Sequence, residues 1–338
     1  MNSALLLFAS IASVIPFSNS MTVTAHVKDT EEKPAVGVMV RVQTYKNSLQ
    51  GLGRSPQYTH YEGRTDTNGN VTLCFQNYSC HFNMQAYSDN YYMESTNYVY
   101  VKFIQHPDLS ITLTEHSKEI NFTLRRKKNP THLFYSRPSG SLKLPQASGE
   151  FGFDLLMNDW IAPYGEGKVA DFYVQREASP TNSKVTLTSG IVFRGDGNGA
   201  YIRKMLKTTS DFKTDYEADT NGDYQVALPL RHYPAPGAPM YTFSSIVKGD
   251  EYAVLRTRTE KDAKGEIEKA HYSVIYGPIH IDEGFDWLIY LFNPATNDPN
   301  LEMDLEKSTD LKRAKLERRR QLRRKEKLER KKKRYNNL

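Results

Sequence analysis

Few residues of this chain could do chemistry by type and spacing. His116-Ser117-Lys118-Glu119 and His280-Ile281-Asp282-Glu283 each space an imidazole and a carboxylate as two zinc ligands are spaced. A metal motif also needs its structural context, and His116 falls in a loop between two short predicted strands. Both matches therefore read as ordinary loop residues. Asp196-Gly197-Asn198-Gly199 and Asp219-Thr220-Asn221-Gly222-Asp223 offer the oxygen donors that calcium takes. Neither supplies the Gly at position six and Glu at position twelve of an EF-hand loop. Turns account for both, and calcium stays only as an ion that loops between strands can hold. No other cofactor is implied. Arg194-Gly195-Asp196 spells an adhesion tripeptide, too short to carry a function. Asp154 and Asp159 could pair as acids in a cleft, but the chain holds 39 Asp and Glu, and paired carboxylates mean catalysis only at a known separation. There is no Gly-x-Ser-x-Gly elbow and no phosphate-cradling glycine loop. Two cysteines cannot build a cysteine–histidine zinc cluster. No catalytic, cofactor or metal residue is assigned, and the expectation leans away from an enzyme.

Three groups of residues point to binding or to covalent bracing. From Ser308 to Leu338 there are 15 Lys and Arg against 4 Asp and Glu, and the rest of the chain carries 30 against 35. The sequence pI of about 9.0 thus belongs to a tail on a mildly acidic body. Arg318, Arg319, Arg320, Arg323, Arg324, Lys325, Lys331, Lys332, Lys333 and Arg334 are its candidate polyanion contacts. The other reading is a solvated, partly helical extension. No aromatic residue interleaves these cations before Tyr335, so base stacking is not indicated. Tyr87, Tyr91 and Tyr92, with Tyr98 and Tyr100, lie among Asn and Asp; such rings suit carbohydrate or protein contact, or strand packing. Cys74 and Cys80 flank a turn at Gln76-Asn77, where either a disulfide closing a hairpin or two packed thiols would fit.

These residues need elements to position them, and the period from Met21 is two. Val23, Ala25 and Val27 fall on one face and Thr22, Thr24 and His26 on the other. A turn through Asp29-Thr30-Glu31-Glu32-Lys33-Pro34 leads to Val36, Val38, Val40 and Val42 in alternation. Further strands are expected over 71–75, 82–87, 98–103, 109–113 and 120–124. The segment 44–64 is long and polar. Seven short strands without helical period predict a two-sheet sandwich.

Val27-Lys28-Asp29, Lys33-Pro34-Ala35-Val36-Gly37-Val38-Met39-Val40 and Thr65-Asp66-Thr67-Asn68-Gly69 together resemble the carboxypeptidase-regulatory-like (transthyretin-like) domain over about residues 21–125. Ala86-Tyr87 stands where that family usually has Gly-Tyr. The resemblance implies an Ig-like β-sandwich and almost nothing about function. The zinc enzymes associated with that domain carry their ligands in a separate α/β domain, and this chain has no alternating strand–helix pattern.

Residues 126–150 read as a linker, punctuated by Pro130, Pro138, Gly140, Pro145 and Gly149. Residues 151–300 read as a second, sandwich-like β domain, with strands over 151–156, 170–174, 184–188, 223–228, 252–258, 272–276 and 287–292 and a hairpin turn at Lys261–Gly265. Asn158 to Gly165 resembles a segment of exported bacterial proteins with this two-part layout, which implies no activity. Residues 301–338 read as a basic tail, helical or disordered. Leu311, Leu316, Leu322 and Leu328 keep no heptad, which excludes a coiled coil. The apolar run Ala4–Phe17 with Ser18-Asn19-Ser20 reads as a signal peptide over 1–20, too short for a bilayer span.

The expectation is a mainly β, exported, non-catalytic binding or structural protein of the cell envelope, periplasmic, cell-surface or extracellular. Its partners would be an anionic envelope polymer or polysaccharide, or a protein, with nucleic acid only if the chain is not exported. The alternative is a β-rich hydrolase acting on polysaccharide in a cleft of the second domain.

Overall fold

The computed structural model describes residues 19–46, 57–77, 81–105, 111–137, 142–181, 184–208, 210–228, 231–233, 245–281, 284–286, 288–304, 306–318, 320–321 and 324–325. The fold is mainly β. The chain divides into two compact units: the first runs to Arg126 and includes Thr208–Phe212, and the second comprises Lys127–Lys207 and Lys213 onward.

The first unit holds β1 (Ser20–Asp29), β2 (Met39–Lys46), β3 (Gln57–Arg64), β4 (Asn70–Gln76), β5 (His81–Ser88), β6 (Tyr91–Tyr100), β7 (Phe103–Gln105), β8 (Ile111–Leu113) and β9 (Ser117–Leu124). A three-stranded sheet, β4-β1-β9, faces a four-stranded one, β3-β2-β5-β6, and β7-β8 form a separate ribbon. The alternation read from β1 is its burial pattern: Met21, Val23, Ala25 and Val27 meet Val38, Val40, Val42, Phe82 and Phe122 in one core. Each fully buried Phe there contributes about 1.5–3 kcal/mol.

The motif residues bind this sandwich together. Thr65 Oγ1 donates to the Ala35 carbonyl at 2.6 Å and accepts from Val38 N at 2.9 Å. Asp66 Oδ1 closes its turn by accepting from Asn68 N and Asn70 N. Gly69 has φ +76°, and a Cβ there would stand 2.3 Å from the Val27 carbonyl oxygen, so the turn excludes every other residue type.

Two expectations change here. The polar segment 44–64 contains a strand, β3, that its polarity hides: His60, Glu62 and Arg64 are exposed along it. The strand expected over 98–103 is the end of β6 and the start of β7, broken at Val101 and Lys102. Five residues from far along the chain complete the unit. Asp211 N donates to Met93 O, Thr208 Oγ1 donates to Thr123 O, and the buried Phe212 ring stacks at 4.8 Å on Tyr92 and beneath the Arg125 guanidinium at 4.4 Å.

The second unit continues with β10 (Phe134–Ser136), β11 (Leu142–Lys143), β12 (Gly149–Asp154), β13 (Asp159–Trp160), β14 (Phe172–Thr181), β15 (Lys184–Val192), β16 (Gly199–Lys204), β17 (Arg231–Tyr233), β18 (Glu251–Lys261), β19 (Ile267–Tyr276), β20 (His280–Ile281), β21 (Gly284–Asp286), β22 (Ile289–Phe292) and β23 (Thr309–Asp310). The sheets are β16-β18-β19-β22-β10-β23, β13-β12-β14-β15-β17 and β11-β21-β20. Phe151, Phe153, Phe172 and Val174 of the five-stranded sheet share a core with Ala253, Leu255, Ile275, Tyr290 and Phe292 of the six-stranded one. The opposite face of the six-stranded sheet buries Tyr252, Val254, Tyr272 and Val274 beneath Ala218 and Leu301. The hairpin turn after β18 forms as expected, with Gly265 at φ +86° and Asp262 Oδ1 accepting from Lys264 N and Glu266 N.

Three boundaries are corrected. Residues 127–150 are not a linker, because β10 pairs with both β22 and β23 inside the six-stranded sheet. Residues 223–228 form no strand; Gln225 and Ala227 make single bridges to Ala200 and Val192. The tail does not begin at 301, since Leu301 and Leu311 are buried in the cores. A helix runs over 311–318, capped by Asp310 Oδ1 accepting from Arg313 N. Among the described residues no helix is long and apolar enough to cross a membrane.

Candidate functional site

An edge strand leaves half of its main-chain groups without a sheet partner. β16 is the outer strand of the six-stranded sheet, and on its free side Ala200 exchanges hydrogen bonds with Gln225 at 2.9–3.0 Å. Antiparallel alternation then turns the N–H and C=O of Ile202 outward, into open space. That space is a groove of about 570 Å³, lined by Ile202, Arg203, Asp219, Asp223, Gln225 and Leu228, with Ala200, Tyr201, Gly222 and Ala227 filling the walls. The Asp219–Gly222 turn builds one wall: Asn221 N donates to Asp219 Oδ1, and Gly222 N to the Asp219 carbonyl. Asp219 N donates to the Tyr201 hydroxyl at 2.9 Å. Gly222 sits tightly in this wall, since a Cβ there would lie 3.0 Å from both the Asp219 carbonyl oxygen and the Tyr201 ring.

The cations near this turn each have partners within the protein. Arg203 lies 3.9 Å from Asp219 Oδ2 and 5.2 Å over the Tyr201 ring. Arg256 donates to the carbonyls of Gly197 and Thr220 and stands 4.0 Å over Tyr224. Burial raises the pKa of the Tyr201 hydroxyl and, further, that of Tyr224. Both therefore stay neutral at physiological pH.

The second unit also buries a charged cluster. Asp154 and Asp171 are 1% and 2% exposed. Arg258 Nη2 reaches Asp154 Oδ1 and Asp171 Oδ2, and Nε reaches Asp171 Oδ1, each at 2.8 Å. Asp171 also accepts from Thr257 Oγ1 and Leu155 N, and Asp154 from the backbone N–H groups of Met157, Lys168 and Val169. Arg258 has φ +53° beside an irregularity in the β18–β19 register. Burial opposes its charge, but Asp171 and Asp154 outweigh burial and hold its pKa above the ordinary value. Every carboxylate oxygen has a donor, so this cluster fastens backbone and has no group left for a substrate.

The residues singled out from the sequence fall as follows. Asp154 and Asp159 do not form an acid pair, because Asp154 is spent on Arg258 and Asp159 on Lys315 at 2.6 Å. The Tyr91 and Tyr92 rings are buried in the first unit, 7% and 4% exposed, and pack instead of presenting a binding face. Tyr87 is half-buried, its hydroxyl accepting from Arg41 Nη2 at 3.0 Å. His116 Nδ1 donates to the Ser20 carbonyl, and Glu119 lies 3.9 Å from His26. Glu283 lies outside the described residues, as does the side chain of His280. Asp196 pairs with Lys261, Asn198 braces Arg194 O and Thr259 N, and Arg194 is bidentate to Glu150. Among the described residues no three His, Cys, Asp or Glu side chains converge as metal ligands do. Cys74 is an exposed free thiol, 3.5 Å from Thr22 Oγ1, and Cys80 lies outside the described residues. Arg318, Arg320, Arg324 and Lys325 are exposed on the helical segment; Arg319, Arg323, Lys331, Lys332, Lys333 and Arg334 lie outside the described residues. Leu311 and the Lys315–Asp159 pair root this helix on the second unit.

Sequence reasoning missed Arg203, Gln225 and the main chain of Ile202 as groove-formers. The available cue was the second Asp-Thr-Asn-Gly turn, which marks the wall but not the strand edge facing it.

Fold and groove together define a mainly β protein of two units with a polar cleft at a sheet edge. No protein-family model matches the chain, and no curated protein does. Among solved structures, it is similar to a 3-chlorocatechol 1,2-dioxygenase from Rhodococcus opacus 1CP, at 14% identity and TM-score 0.23, over 32% of this chain and 60% of that one. It is also similar to a "putative carbohydrate binding protein" from Bacteroides uniformis ATCC 8492, at 8% identity and TM-score 0.20, over 82% and 98%. A shaft pilin from Lactobacillus rhamnosus GG shows 11% identity and TM-score 0.20, over 86% and 96%. Similarity at this level carries no functional argument.

Proposed function

We propose that the chain is an exported, non-catalytic binding protein of the cell envelope. It holds a polysaccharide in the groove of its second unit and an anionic surface with its basic C-terminal helix. The observation that carries this is the groove: two carboxylates, a guanidinium, an amide and an outward-facing main chain beside the apolar side chains of Ile202 and Ala227. A hydroxylated ring with an apolar C–H face asks for that mixture.

The titrating groups support a non-catalytic role. A hydrolase of the two-carboxylate kind keeps one acid protonated by raising its pKa. Each described carboxyl whose pKa is displaced is displaced downward. Lys102 N–H does this for Glu115, Arg194 for Glu150 and Lys204 for Asp250. At Glu251 and Asp304, hydrogen bonds outweigh burial. The first unit is proposed as a carboxypeptidase-regulatory-like domain acting as spacer or recognition module. Its seven strands in two facing sheets support that assignment. Residues 1–20 are proposed as its signal peptide.

The test is co-sedimentation with isolated cell-envelope polysaccharide in 0.5 M NaCl, with N-terminal sequencing of the protein from each cell fraction. Retention that is lost in Gln225→Ala, with a mature terminus near Met21, is the expected result. Equal retention of the variant, or an uncleaved cytosolic chain, would sink the proposal. At low salt, removing residues 319–338 should weaken retention on an anionic resin and flatten its dependence on salt.

A further inference from the structure

The groove and the helix carry opposite charge, and the difference bears on which saccharide the groove takes; the argument rests on the saccharide reading above. Three charged side chains line the groove: Asp219, Asp223 and Arg203. Arg203 and Asp219 face each other 3.9 Å apart as an exposed ion pair. Arg256, beside the same turn, spends its guanidinium on two carbonyls and the Tyr224 ring. Asp223 is exposed and, among the described residues, makes no ion pair or side-chain hydrogen bond; the same holds for the Gln225 amide. A ligand entering the groove therefore meets one uncompensated carboxylate, one free amide and the unpaired N–H and C=O of Ile202. The one cation lining the groove, Arg203, is shared with Asp219.

We infer that the groove takes an uncharged, hydroxyl-bearing saccharide and turns away uronic, sulfated and phosphorylated ones. Sugar hydroxyls donate to Asp223 in charge-assisted hydrogen bonds, and Gln225 and Ile202 both donate and accept. The exposed Ala227 and the part-exposed Ile202 side chains are left to meet the C–H face of the ring. An anionic sugar bound over Asp223 would set its own charge against that carboxylate at contact distance. The exposed Arg318, Arg320, Arg324 and Lys325 select the other way, by charge and without regard to sugar identity. The two surfaces thus sort ligands by charge, and one polymer with neutral and anionic stretches would engage both.

The experiment is an array of immobilised oligosaccharides, neutral, N-acetylated, uronic and sulfated, probed with the full chain in 0.5 M NaCl. The screening length there is about 4 Å, which silences the helix and leaves the groove. The expected result is retention on neutral or N-acetylated members, with uronic and sulfated members about two- to fivefold weaker. Asp223→Asn should weaken neutral binding about tenfold and leave low-salt retention on an anionic resin unchanged. Asp223 makes no bond within the protein, so this variant folds as the parent does. Uronic members held as tightly as neutral ones, with Asp223→Asn without effect, would overturn the charge selection and leave the saccharide reading standing. Retention of no member at 0.5 M NaCl would overturn both.

Discussion

Replacing Arg258 with Met keeps most of the side-chain volume and removes the cation that Asp154 and Asp171 share. The two carboxylates are 1% and 2% exposed, and three charge-assisted hydrogen bonds at 2.8 Å vanish together. The backbone N–H donors to both aspartates remain, so the loss is not that of two naked charges. Breaking a buried pair from one side costs about 3–5 kcal/mol. For a unit of this size, roughly 2–4 °C per kcal/mol turns that into a fall of about 10 °C in Tm. The relief of positive φ at position 258 is not available to Met, which keeps the same backbone strain. Both tryptophans of the chain, Trp160 and Trp287, belong to the second unit, so tryptophan fluorescence in a urea titration follows that unit alone. A variant within about 1 kcal/mol of the parent at pH 7 would refute the view that this cluster fastens the two sheets.

Gly69→Ala should cost the first unit at least about 2 kcal/mol in thermal or denaturant unfolding. The new Cβ collides with the Val27 carbonyl and the φ of +76° disfavours Ala. Tyr224→Phe should be neutral or stabilise by up to about 1–3 kcal/mol, since the Tyr224 hydroxyl is buried with no hydrogen-bond partner in the structure. A clear loss of stability would show that this oxygen has a partner after all. The lowered pKa values of Glu115, Glu150, Asp250, Glu251 and Asp304 fix the sign of the acid response. Their stabilising contribution is present above the unfolded values of 4.5 for Glu and 3.8 for Asp and is lost as pH falls through the lower folded values. Unfolding scans from pH 6 to pH 2 should show that decline, blunted by 0.5 M salt.

The sequence carried much of the first unit because β1 and β2 obey a strict period of two and because Asp66–Gly69 is a local turn. What it hid was non-local. β3 looks like loop because its exposed face is continuously polar, and its pairing with β2 is visible only in the register Met39–Arg64 to Lys46–Gln57. β10 is three residues long inside a stretch full of Pro and Gly, and only its two neighbours from beyond residue 288 make it a strand. Leu311 opens a run of cations that reads as tail, yet it fills a core assembled from residues 151 to 292. The groove was half legible. The turn at Asp219 is local, whereas the free edge of β16 depends on which strand stays unpaired.

The segment Thr208–Phe212 gives the first unit an unusual genetic property. Its coding sequence is split, with the last five residues lying some eighty codons downstream of the rest. A fragment ending at Arg126 would lack Phe212, leaving the Tyr92 ring and the Arg125 guanidinium without their cover. A single uninterrupted cassette ending at Arg126 therefore omits part of the unit's packing, and moving the unit whole means moving both stretches.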